Sequence, residues 1–181
     1  AAGSPLELLR RVAVHPGDVF RIAPGTVHSI GAGVALLEIQ QPSDSTYRVF
    51  DYGRPGLDGK PRALHIEEAL AVAHLRPSLP ENRGILDDDA TRGWRVLANV
   101  DAYRIESLTP QADLSWAVSP HSAQVVHVLR GSCCLDDVLL EPGQTAVVPA
   151  SVGRVWLTQP QLCELVVSGL GGERLIDAAP G

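Results

Sequence analysis

The chain has 181 residues, 45% hydrophobic and 20% charged, enough for one large domain or two small ones with an ordinary globular core. Fifteen Lys and Arg stand against 21 Asp and Glu, a formal net charge of −6 that repels nucleic acid and anionic membrane, and no basic run with interleaved aromatics offsets it. No apolar run approaches the roughly 20 residues that span a bilayer, and the N-terminal residues lack the order of a secretory signal, so a cytoplasmic protein is expected.

In chain order, 17 Gly and 14 Pro fall at short intervals between β-branched runs, the pattern of many short strands joined by tight turns. Residues 12–14, 19–22, 34–39 and 47–50 are the first predicted strands. Residues 64–75 are the predicted helix: Leu64, Ile66, Ala69, Leu70 and Ala73 approximate one face, and Glu67 and Glu68 sit early, where the helix dipole favours acids. Residues 76–93 hold Pro77, Pro80, Gly84 and the acidic run Asp87-Asp88-Asp89, and read as a linker with a solvated acidic loop. Short strands return from Trp94 onward, at 125–129, 133–135, 145–148, 155–157 and 162–167. The Gly- and Ala-rich tail from Gly169 is expected to fray.

Cysteine usage agrees with the compartment. Cys133 and Cys134 are neighbours, so on a strand they point to opposite faces and cannot bond to each other easily, and Cys163 is the odd one left. Three cysteines without metal-like spacing read as reduced strand residues.

A repeat runs through this order. Gly17-Asp-Val-Phe-Arg-Ile-Ala-Pro-Gly25-Thr-Val-His28 aligns with Gly143-Gln-Thr-Ala-Val-Val-Pro-Ala-Ser151-Val-Gly-Arg154. Each copy has a Gly turn, a short apolar strand and a Pro-containing turn, so two similar β-modules are expected. The copies differ where chemistry would sit, with Arg154 in place of His28.

The first copy is similar to the second motif of the cupins, small double-sheet β-barrels, in which a histidine after the turn reaches the barrel mouth as a metal ligand. Taken alone, such a histidine is as easily a surface residue. The residues that follow are more specific. Glu38-Ile-Gln-Gln-Pro-Ser-Asp-Ser-Thr-Tyr-Arg48, then Gly59-Lys-Pro-Arg-Ala-Leu-His65, together with Pro24-Gly-Thr-Val-His28, resemble the bacterial mannose-6-phosphate isomerases, closely over about residues 12–75.

That resemblance implies an all-β fold with one short helix, built from two cupin-like barrel or jelly-roll modules. Residues 1–75 would be the C-terminal part of a catalytic module, residues 76–93 a linker, and residues 94–181 a degenerate second module without metal. It implies zinc, with His28 as a ligand, and a sugar phosphate as the small-molecule partner, with no nucleic acid or membrane partner. Glu38 and Arg48 would be catalytic, and Arg48, Lys60 and Arg62 would bind substrate. Asp51 and Arg54 lie in matching motifs without an individual role. The family's other zinc ligands lie in a motif upstream of His28, where this chain offers only His15 and Glu7, so the chain is expected to begin inside the catalytic barrel.

The chemistry needs these residue types. Interconverting an aldose and a ketose phosphate moves a proton between adjacent carbons, which calls for a base such as a partly buried Glu38. Charge on the substrate oxygens needs a metal, an arginine or both, and a guanidinium suits a phosphate dianion. The plainer alternatives are a Glu38–Arg48 pair across a sheet, a capping role for His65, and structural or exposed places for His15, His74, His121 and His127. The rival function is a non-catalytic cupin that binds a sugar phosphate or serves as a scaffold.

Overall fold

Gln124–Leu135 and Arg154–Gly169 form continuous strands of 12 and 16 residues, two to three times the length of an ordinary strand, with buried and more exposed positions alternating along much of each. Such a run can serve two sheets if it bends. In a computed structural model of the chain, which describes residues 5–75, 87–89, 93–172, 174–176 and 179–180, both runs do so. The chain divides into two units, Ala1–Glu38 with Pro42–Arg83, and Ile39–Gln41 with Gly84–Gly181.

Among its described residues the second unit carries nine antiparallel strands: β1 (Asp87–Asp89), β2 (Trp94–Val100), β3 (Tyr103–Leu108), β4 (Leu114–Ala117), β5 (Gln124–Leu135), β6 (Val138–Leu140), β7 (Thr145–Val148), β8 (Arg154–Gly169) and β9 (Ala179–Pro180). The C-terminal half of β8 pairs with β3 and with the start of β5, through Leu108↔Leu165 and Val128↔Leu165. Its N-terminal half pairs with β4 and with the end of β5, through Leu114↔Leu157 and Leu135↔Leu157. One layer therefore runs β1-β2-β3-β8-β5-β7 and the other β9-β4-β8-β5-β6, with β5 and β8 common to both. The strand path stays open at β1 and β9.

The bend has a local cause. The β5–β8 register slips at three successive points between Val128 and Cys134. Gly131 lies there at φ +63°, and a Cβ on it would come within 2.1 Å of the Gln161 carbonyl oxygen. Gln159 and Leu162 on β8 also have positive φ, at +52° and +48°. Bulges of this kind turn a strand from one sheet into the next.

Both layers feed one core. Trp94, Val96, Leu108, Val126, Leu165 and Val167 come from the first layer, and Trp116, Cys133, Leu135, Val155 and Leu157 from the second. Each fully buried aliphatic contributes about 1.5–3 kcal/mol, so this core dominates the stability of the unit. Cys133 and Cys163 are buried thiols within it, as expected of strand residues.

The predicted strands at 145–148, 125–129, 133–135, 155–157 and 162–167 all fall on strands. The last four are two bent strands instead of four short ones. The acidic run Asp87–Asp89, expected as a solvated loop, pairs with Trp94–Val96 as an edge strand. The rest of residues 76–92 lies outside the described residues.

The first unit departs from expectation. Residues 12–14, 19–22, 34–39 and 47–50 form no strand. A strand holds when a neighbour offers N–H and C=O groups in register, and the described residues of this unit provide no such ladder. Apolar side chains consequently stay exposed, among them Ile22, Ile30, Leu36, Leu37 and Phe50, and Ala69 is the one buried hydrophobic residue described there. The helix is present but shorter than predicted: α1 spans Ile66–Val72, with Glu67 and Glu68 in its first turn. Of the predicted face, Ala69 is buried, while Leu70, Ile66 and Leu64 are exposed.

Candidate functional site

The candidate residues lie on loops of the first unit, each fixed by short-range chemistry. The turn that presents His28 is closed by Thr26 N–H to the Ala23 carbonyl at 3.1 Å. At its tip Gly25 has φ +78°, and a Cβ there would stand 2.6 Å from the Val72 carbonyl oxygen, so glycine serves both conformation and close approach. The His74 amide then donates to the Gly25 carbonyl at 2.8 Å, which ties the end of α1 to this turn.

His28 itself is exposed, and its Nδ1 lies 2.8 Å from the Thr26 carbonyl oxygen. A carbonyl only accepts, so Nδ1 carries a proton and Nε2 is the ring nitrogen left to face a ligand. This is the arrangement that orients a metal-binding imidazole. The next residue links the turn to the second loop, through a hydrogen bond between the hydroxyls of Ser29 and Tyr52.

Around Tyr52 the sequence places Arg48, Asp51 and Arg54 three residues apart, and a hairpin-like return brings in Arg62. Pro55 and Pro61 form an isolated bridge, and the Gly56 amide donates to the Lys60 carbonyl at 2.7 Å. The returning Arg62 donates through Nε to Asp51 Oδ2 at 2.7 Å and through Nη2 to Oδ1, a bidentate pair. Arg48 Nε and Arg54 Nη2 stand 3.7 Å and 3.6 Å from the same Oδ1. Asp51 is only 7% exposed, whereas Arg48, Arg62 and Arg54 have increasing exposure. One carboxylate thus faces three guanidiniums, and two positive charges remain uncompensated within the cluster.

The electrostatics follow from that geometry. The hydrogen bonds from Arg62 hold the Asp51 carboxyl below its ordinary value; partial burial opposes this, and the charges of Arg62, Arg48 and Arg54 reinforce it. The same hydrogen bonds raise the Arg62 guanidinium.

Arg48 is also clamped along its backbone. Its N–H donates to His65 Nδ1 at 3.1 Å, its carbonyl accepts the His65 N–H at 2.8 Å, and its Nη1 donates to the Ala63 carbonyl at 3.1 Å. His65 does occupy the N-cap position of α1, but its ring makes no capping hydrogen bond; it accepts from Arg48 instead.

The structure therefore joins Arg48 and Arg62 through Asp51, and His28 is tied to that loop only through its neighbour Ser29, whose hydroxyl bonds Tyr52. It does not join Glu38 or the Lys60 side chain to them by any hydrogen bond or ion pair. Glu38 is exposed, which departs from the partial burial expected of a base, and the ion pair of Arg48 is with Asp51. Tyr52 is the member that sequence reasoning passed over, and Asp51 is named there without a role. The three-residue spacing of Arg48, Asp51 and Arg54 was the available signal.

A zinc site needs about three protein ligands. Among the described residues no group of three or more His, Cys, Asp or Glu side chains is placed to hold a metal. These residues do not by themselves fit the implied zinc site, although His28 offers one suitable nitrogen. In the second unit the aligned Arg154 lies at the start of β8 and donates from Nη1 to Ser115 Oγ at 3.0 Å.

No family model matches the chain. It is 51% identical over 79 residues to mannose-6-phosphate isomerase ManA of Bacillus subtilis, covering 44% of this chain and 25% of that protein. It is 38% identical over 119 residues to the mannose-6-phosphate isomerase of Streptococcus mutans, covering 66% of this chain and 35% of that protein. The chain thus spans between a quarter and about a third of the length of these relatives. Among solved structures, the mannose 6-phosphate isomerase of Bacillus subtilis matches with a TM-score of 0.54 at 25% identity, over 70% of this chain and 40% of that one. In sequence and in fold, this chain is similar to a part of the mannose-6-phosphate isomerases.

Proposed function

We propose that this chain carries part of the substrate site of an aldose–ketose isomerase that interconverts mannose 6-phosphate and fructose 6-phosphate. The observation that carries the reading is the 51% identity over 79 residues to a protein named for that activity. It is supported by the Asp51 cluster, whose two uncompensated charges suit a phosphate dianion.

In this reading Glu38 takes the proton from C2 of the open-chain aldose while O1 gains one, leaving a cis-enediol. The proton then passes from the Glu38 carboxyl to C1 as O2 gives up its own, which yields the ketose. Arg48 stabilises the oxygens on which charge develops and, with Lys60 and Arg62, binds the sugar phosphate. His28 would supply one ligand to zinc.

The second reading is a cupin that binds a sugar phosphate without turning it over. The exposed Glu38, joined among the described residues to no other candidate residue by a hydrogen bond or ion pair, favours it. A coupled assay with mannose 6-phosphate and added zinc separates the two. Turnover that falls about 10²–10⁴-fold in Glu38→Gln supports the isomerase. Retained mannose 6-phosphate binding with no turnover in the parent chain supports the second reading.

A further inference from the structure

We propose that Asp51 is the positioning residue of a three-arginine site for a phosphate monoester, in which Arg48, Arg54 and Arg62 are the binding groups. The proposal rests on the sugar-phosphate reading above and adds to it the part played by two residues that reading leaves without a role, Asp51 and Arg54.

The argument starts from what three arginines do when left to themselves. Like charges a few ångströms apart repel, and flexible guanidiniums separate into solvent unless something holds them together. Asp51 is that something. Its carboxylate is nearly buried, accepts both hydrogen bonds of the Arg62 fork, and lies within 3.7 Å of Arg48 Nε and 3.6 Å of Arg54 Nη2. Because it cancels one charge of three, the cluster keeps enough positive potential to attract an anion.

The loop is built to keep this carboxylate in place. The Arg54 amide donates to the Asp51 carbonyl at 2.9 Å, closing a tight turn, and Tyr52 between them adopts φ +54°. A non-glycine residue in the left-handed region carries local strain that its surroundings must hold. Tyr52 is held on three sides: by the Ser29 hydroxyl, by Phe50 edge-on at 4.9 Å between ring centroids, and by Arg54 over its ring at 5.3 Å. Arg54 is the most exposed of the three, at 63%, and borders solvent on the Tyr52 face.

A positioning role and a mere counter-charge predict opposite signs. Asp51→Asn raises the charge of the cluster by one. If Asp51 only neutralises, the variant should bind phosphate more tightly; if it positions, binding should weaken despite the added charge.

The test is isothermal titration of the chain with inorganic phosphate and, separately, with mannose 6-phosphate, together with the NMR signals of the arginine Nε–H groups. The expected result is at least tenfold weaker phosphate binding in Asp51→Asn and loss of the ordered Arg48 and Arg62 Nε–H signals. Asp51→Glu should recover part of the affinity, since it keeps the charge and displaces it by one methylene, and Arg62→Gln should weaken binding with Asp51 intact. Unchanged or tighter phosphate binding in Asp51→Asn overturns the proposal, as does unchanged order of the Arg48 signal. A parent chain that binds inorganic phosphate but not mannose 6-phosphate sinks the sugar reading and leaves the role of Asp51 standing. A parent chain that binds neither overturns both.

Discussion

The buried carboxylate of Glu106 accepts the indole N–H of Trp94 at 2.7 Å, across the β2–β3 pair. The same carboxylate accepts Arg104 Nε at 2.5 Å and the amides of Leu175 and Ile176 at 3.1 and 3.0 Å, so it fastens residues 175–176 to the sheet. Gln124 repeats the device nearby: its Oε1 accepts Trp116 Nε1 at 2.9 Å and its Nε2 donates to the Leu175 carbonyl at 3.0 Å. Buried polar groups arranged this way are stable only while every member is satisfied.

Glu106→Ala is therefore expected to destabilise the β-unit by about 3–5 kcal/mol, because it leaves three buried N–H donors and the nearly buried Arg104 unpaired. Glu106→Gln keeps the shape and an acceptor oxygen and should lose roughly 1–2 kcal/mol. All three tryptophans, at positions 94, 116 and 156, lie in this unit, so urea unfolding followed by tryptophan fluorescence reads it alone. An Ala variant within about 1 kcal/mol of the parent would show that water replaces the lost partners at no great cost.

How far the sequence revealed this molecule depends on whether a signal is local. The strands β5, β7 and β8 were visible as β-branched runs between turns because they find partners within the unit. That 125–129 and 133–135 are one strand was hidden, since Arg130-Gly131-Ser132 reads as a turn until Gln161 and Leu162 are known to face it. In the first unit the same kind of run misled: apolar residues at 34–39 promise a strand, but pairing is a property of two segments. The motif strings are a different kind of signal, because they point to side chains by resemblance and not to backbone pairing. His28, Arg48 and Arg62 were singled out that way, whereas Asp51 drew no role because its meaning comes from Arg62, eleven residues on.

Gly131 offers a direct test of the bend. With φ +63° and a Cβ that would meet the Gln161 and Leu162 carbonyl oxygens at 2.1 and 2.4 Å, an alanine there must shift backbone and not merely a side chain. Left-handed strain of about 1–3 kcal/mol adds to the overlap, so Gly131→Ala should lose at least about 3 kcal/mol in the same urea measurement. Gly143→Ala is the control: its φ of +83° carries the strain, but nothing lies within 4 Å of the added Cβ. Equal losses in the two variants would mean that the close approach of β5 and β8 contributes little.

Gly25 makes the corresponding prediction for the His28 turn. An alanine Cβ would lie 2.6 Å from the Val72 carbonyl oxygen and 3.2 Å from the His74 ring, besides requiring φ +78°. Gly25→Ala should release the turn from the end of α1, and exchange of the His74 amide, which donates to Gly25, should speed up by tenfold or more. Tryptophan-detected stability of the other unit should not change. A protected His74 amide in the variant would show that the turn holds by itself.

Acid should loosen the arginine cluster before it unfolds the β-unit. The Asp51 carboxyl is held below its ordinary value by the Arg62 hydrogen bonds, against the effect of burial, so the folded pKa lies under the unfolded one. The contribution of the cluster is then fully present above the unfolded aspartate pKa of about 3.9. It is lost as pH falls from there through the lower folded value. Protonation leaves Arg48, Arg54 and Arg62 facing one another with no counter-charge, and their repulsion adds to the loss. The Arg62 Nε–H signal should accordingly broaden or shift below about pH 4, at a pH where tryptophan fluorescence is still native. Asp51→Asn should show the loosened Arg62 signal already at neutral pH and no acid step. An acid transition in Arg62 that persists unchanged in Asp51→Asn would show that Asp51 is not its source.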